Sequence, residues 1–113
     1  MNNEENIEWI YERMLESVKI LSADANKQIE ELAGWDIEDE LALSFYNDVV
    51  LMSDTLLSSG KIDGEIYKKI MEINSYLDDM SKEKELWTDE QLKDSPKWMM
   101  CRAKSRELLT MLN

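Results

Sequence analysis

A chain of 113 residues with 43% hydrophobic content and four tryptophans has apolar mass for one buried core and too little for two, so residues 1–113 are expected to form one domain. Its formal charge of -12, from 25 Asp and Glu against 13 Lys and Arg, argues against nucleic acid or an anionic bilayer as partner and favours a basic one. With no histidine and a single cysteine, Cys101, the chain excludes cysteine–histidine zinc sites, an intramolecular disulfide and the Ser-His or Cys-His pairings of covalent catalysis.

From Asn3 to Ala33 the apolar positions Ile7, Ile10 or Tyr11, Met14, Val18, Leu21, Ala25, Ile29 and Leu32 step by threes and fours, which predicts an amphipathic helix stopped by Gly34. Its weak point is Ser22 to Asn26, "SADAN", whose short polar side chains compete for backbone hydrogen bonds and can split the segment. The opening "MNNEENIEWI" has no basic stretch followed by an apolar one, and no apolar run reaches membrane-spanning length, so the expected compartment is the cytoplasm.

A second helix is predicted from about Ile37 to Ser58, with Ile37, Leu41, Phe45, Val49, Met52 and Leu56 on its buried face and Gly60 closing it. A third runs from Gly64 to Ser81 behind Asp63 as N-cap, carrying Ile66, Ile70, Ile73, Leu77 and Met80. In "LWTDEQLKDSP" a short helix starts at Thr88, where Thr88 and Gln91 have capping-box spacing. Ser95 as N-cap with Pro96 at the first helical position then opens the last helix, to about Leu112. No segment alternates with period two. The expected fold is therefore all-α, a bundle of four main helices plus one short connecting helix.

The charge has a layout. Up to Ser59 there are 14 acids against Arg13, Lys19 and Lys27, whereas the last helix is basic, with Lys97, Arg102, Lys104 and Arg106 against Glu107. The acids are densest around the Gly34 turn: Glu30 and Glu31, then Asp36, Glu38, Asp39 and Glu40 directly after Trp35. Asp36 suits the N-cap and Asp39 complements the helix dipole, while the others are not needed for capping. Acids crowded this closely repel one another, so the cluster is expected to be a binding surface for a positively charged partner, with Trp35 as its aromatic anchor. Asp78 and Asp79, ending the third helix, form a second acidic candidate.

Metal and cofactor chemistry is not expected. The di-iron bundle constellation needs histidine. "ENIE" (Glu5 and Glu8) matches one half of the Mg²⁺-binding pattern of the all-α nucleotide pyrophosphohydrolases, but Glu40 and Asp48 have the wrong spacing for the other. "DGE" at Asp63 lacks the remaining ligands of an EF-hand loop. Cys101, beside Trp98, Met99 and Met100, is expected to be a buried small hydrophobe. Trp9 and Trp98, lying within helix patterns, are expected in the core, and Trp35 and Trp87 at the turns.

Over the C-terminal third, Leu86-Trp87-Thr88, then Ser95-Pro96 and Trp98, then Arg102 and a closing leucine-bearing helix resemble the ending of small acidic helical immunity proteins. These are antitoxins encoded beside contact-dependent growth-inhibition and other polymorphic toxins in bacteria. The resemblance implies a non-enzymatic protein that binds a cognate basic toxin domain, such as an RNase or DNase, and occludes its active site or substrate-binding surface. An acidic regulatory protein, or a nucleic-acid mimic that inhibits other basic proteins, is the alternative. Self-association as a homo-oligomer is left open by the sequence.

Overall fold

The computed structural model describes residues 3 to 112, with side chains from residue 6 onward. Seven α-helices follow one another: α1 (Asn3–Ser22), α2 (Ala25–Glu31), α3 (Ile37–Phe45), α4 (Leu51–Ser58), α5 (Gly64–Ser81), α6 (Asp89–Asp94) and α7 (Pro96–Met111). A π-helical turn (Tyr46–Val50) joins α3 to α4 without a break, and a 3-10 turn (Lys84–Leu86) precedes α6. No strand occurs among the described residues, so the fold is all-α. Among the described residues no helix is long and apolar enough to cross a membrane.

The first predicted helix does divide at "SADAN". α1 ends at Ser22, whose hydroxyl turns back to the Lys19 carbonyl at 2.9 Å, and Asp24 stands at the N-cap position of α2. Three predicted starts are made as expected: Asp63 accepts from the Ile66 N–H, Thr88 from the Gln91 N–H, and Ser95 from the Lys97 N–H ahead of Pro96. Behind α4, Gly60 adopts φ +79. The Lys61 N–H then reaches the Leu56 carbonyl and the Gly60 N–H that of Leu57, the paired bonds of a Schellman stop.

The α3–α4 segment shows why one turn is widened. Its core stripe is Ile37, Leu41, Phe45, Val49, Ser53 and Leu56, almost all four apart, with Glu38 buried beside Ile37. An α-helix advances about 100° per residue, so repeated steps of four drift off one face. A π turn unwinds the helix locally and brings Val49 and Ser53 back over the core. Met52, expected on the buried face, is displaced to its flank, and Ser53 takes the place with its hydroxyl on the Val50 carbonyl at 2.7 Å.

α1 packs chiefly on α7 and on the α3–α4 segment, and α5 packs against α7. The shared core includes Met14, Val18 and Leu21 of α1, Phe45 and Leu56, Ile70 and Ile73, and Trp98, Cys101 and Leu108 of α7, all fully buried. Burying each large aliphatic side chain contributes about 1.5–3 kcal/mol, which offsets the low intrinsic stability of short pieces such as α2 and α6. Trp98 is in the core as expected, its indole N–H on the Leu86 carbonyl at 2.7 Å. Trp9 is not. It lies off the stripe of α1 and is 59% exposed, with the Arg13 guanidinium 5.3 Å above its ring.

Candidate functional site: an unneutralised acidic corner

The turn after α2 passes through Gly34 at φ +94 and delivers Trp35 to solvent, 69% exposed. α3 starts immediately behind it. Asp36 occupies the N-cap position, and its carbonyl accepts the Glu40 N–H at 2.8 Å, but its side chain makes no cap bond. Two residues on, the Glu38 carboxyl takes its own backbone N–H, one of the donors that an N-cap side chain uses.

Asp39 is placed by the far end of the chain. Its Oδ1 accepts the Trp87 indole N–H at 2.7 Å. Trp87 in turn leans on the buried Trp98, with ring centroids 5.1 Å apart and planes tilted by 47°. Asp39 and Trp87 also border a groove of about 630 Å³ whose walls include Ala42, the exposed Leu43, Ser81 and Lys84. Acid and apolar surface are thus side by side.

Glu38 is the anomalous member. It is 3% exposed, and its Oε2 has no hydrogen-bond donor in reach. Its neighbour is Asp89, at the start of α6, which packs beside α3. Burial first, then the hydrogen bond and negative charge of Asp89, then the charge of Asp36, push the Glu38 carboxyl up to about 7, against a smaller opposing effect of its backbone bond. A proton on Glu38 turns an acid–acid contact into a hydrogen bond.

Among the described ion pairs none reaches Asp36, Glu38, Asp39, Glu40, Asp89 or Glu90. The corner is therefore larger than the run after Trp35, because α6 adds Asp89 to it. Other predicted positions lie differently. Glu30 is exposed at the end of α2, while Glu31 pairs with Lys27 at 3.6 Å and faces a separate groove with Glu16, Lys19 and Asp48. Asp78 and Asp79 are both within reach of Lys82, at 4.0 and 3.6 Å, and so form a partly neutralised helix end.

The missed residue, Asp89, left no local signal in the sequence, since two helix starts meet there only through tertiary packing. The burial of Glu38 did leave one: it stands three residues before Leu41 and seven before Phe45, on the core face. Among the described residues no group of three or more Asp, Glu, His or Cys is arranged to hold a metal ion. The Glu5 side chain of "ENIE" lies outside the described residues. Cys101 is fully buried, and burial pushes its thiol up to about 12, so it holds no thiolate for nucleophilic chemistry near neutral pH. No protein-family model, curated protein or solved structure matches the chain.

Proposed function

We propose that the protein is an immunity protein of the cytoplasm that neutralises a basic toxin domain, in the first place a nuclease, by covering its substrate-binding surface. The observation that carries this reading is the corner itself: a set of acids that no described ion pair reaches, next to the exposed Trp35 and Leu43. A nuclease presents lysines and arginines to phosphate, and a surface of this composition satisfies the same groups. Such complementarity gives fast, salt-dependent association, while the aromatic anchor supplies area that screening does not weaken. The exposed acids Asp36 and Asp39 and the half-buried Glu40 meet the partner, with the exposed Glu30 beside the turn; Glu38 tunes the corner from beneath.

The test is co-expression with the product of the neighbouring open reading frame, followed by affinity capture at low and then high salt. One stoichiometric basic partner whose toxicity disappears on co-expression is the expected result. Several basic proteins that all elute with salt would instead favour a general mimic of nucleic acid, and no partner would remove the immunity reading.

A further inference from the structure

On the side of the molecule built by α2, α6 and α7 lies the opposite kind of site. Arg102 of α7 is 6% exposed, yet among the described residues no carboxylate pairs with it. Its guanidinium engages through Nη1 alone, on the Leu92 carbonyl at 2.9 Å and the Gln28 Oε1 at 3.5 Å. The fully buried Gln28 is locked in turn, its amide donating to the carbonyls of Ile20 and Leu21 at 3.0 and 2.9 Å, so its oxygen is fixed towards the arginine.

Arg102 lines an open cleft of about 570 Å³ together with Lys93, Arg106, Asp24, Asn26 and Met99. Lys93 is exposed and in no described ion pair, and Arg106 holds Asp24 at 2.9 Å. Three cations thus share the cleft with one carboxylate, in a chain whose net charge is -12. Burying a charge without a counter-ion is costly, and burial together with the neighbouring Arg106 disfavours the charged form of Arg102. An arginine nevertheless keeps its charge in proteins. The cost is offset when an anion enters.

We infer that this cleft binds a phosphoryl dianion, either free phosphate or the phosphate of a small monoester. The local excess of two positive charges matches a dianion better than a single carboxylate. Arg102 Nε and Nη2, free of described partners, provide the forked donors that suit phosphate oxygens, and Lys93 reaches in from α6 as a point charge. Half-exposed Met99 gives an apolar wall for an organic substituent. This inference is independent of the acidic corner and of any toxin.

The experiment is a titration of the isotope-labelled protein with inorganic phosphate and, separately, with phenyl phosphate, against sodium chloride at matched ionic strength. The readout is the backbone amides of Ala25, Asn26 and Met99 and the Arg102 Nε–H. Saturable shifts at these positions, weakened tenfold or more by Lys93→Glu on the surface and abolished by Arg102→Gln, are expected. The dispersion of the remaining amides checks that each variant is folded, and Lys93→Glu decides the matter alone if Arg102→Gln is not. Tighter binding of phenyl phosphate assigns a monoester, and equal binding assigns free phosphate. Shifts that only follow ionic strength, or saturable binding unchanged by Lys93→Glu, overturn the proposal.

Discussion

Two acidic regions of this molecule have opposite fates. Along the seam of α5 and α7, Glu72 meets both Lys69 and Lys104, and Lys69 also meets Glu107, so acids and bases alternate in one connected network. At the corner of α3 and α6, Asp36, Glu38, Asp39, Glu40 and Asp89 stand outside every described ion pair. The basic residues of α7 go elsewhere: Lys97 to Glu83, Lys104 to Glu72, Arg106 to Asp24. Net charge alone does not make a sticky surface. What matters is where packing leaves acids outside the chain's own ion pairs, and there a protein holds repulsion that a proton, as on Glu38, or an external cation relieves.

The contrast can be broken most strongly at the corner. Reversing Asp36, Asp39 and Glu40 together to lysine is expected to cost on the order of 3 kcal/mol or more of partner affinity, over a hundredfold in Kd, chiefly through long-range attraction. The same change on Asp78 and Asp79 should matter far less. Binding kinetics at two salt concentrations read this directly, and unchanged association rates would remove the corner from the interface.

Next comes Glu38. In the folded protein it keeps its proton up to about pH 7, whereas in the unfolded chain it ionises near the ordinary glutamate value of 4.5. Between those values folding takes up a proton, so this residue's contribution falls as pH rises through the window, and above it the full penalty of roughly 3 kcal/mol is present. Glu38→Gln should therefore leave stability unchanged near pH 4 and raise it by about that amount at pH 8. Chemical denaturation across pH measures the slope, and parallel curves for variant and parent would show that the carboxyl is not held protonated.

Smaller effects sharpen the picture. Trp87→Phe keeps the ring against Trp98 but removes the donor to Asp39, with an expected loss of about 1 kcal/mol. Glu72→Gln, on the solvated seam, should cost under about 1 kcal/mol and vanish in high salt, because exposed ion pairs are screened. A cost from Glu72→Gln exceeding that from Trp87→Phe would invert the proposed ranking of the two regions.

Much of this architecture was readable in local signals. The division at "SADAN", the caps at Asp63, Thr88 and Ser95, and the stop at Gly60 all depend on a few neighbouring residues, and all are made. Where distant elements decide, local reading ran short. The π turn arises from a buried spacing of four sustained over several turns, and a 3.6-residue template placed Met52 where Ser53 belongs. Arg102, counted as part of a basic helix, is drawn under α6 by the Leu92 carbonyl. The acids after Trp35 were legible as a cluster, but their meeting with Asp89 and the tether from Trp87 to Asp39 are properties of the packed chain.

Cys101 carries a practical consequence. It is the only thiol in the sequence, it lies in the face of α7 that closes the core, and burial keeps it protonated. A maleimide or disulfide reagent therefore meets it only in molecules whose last helix has come away. The rate of modification under native conditions becomes a built-in clock for that opening, with no engineered label, and a bound partner that clamps the fold will be heard as a slowing of that clock.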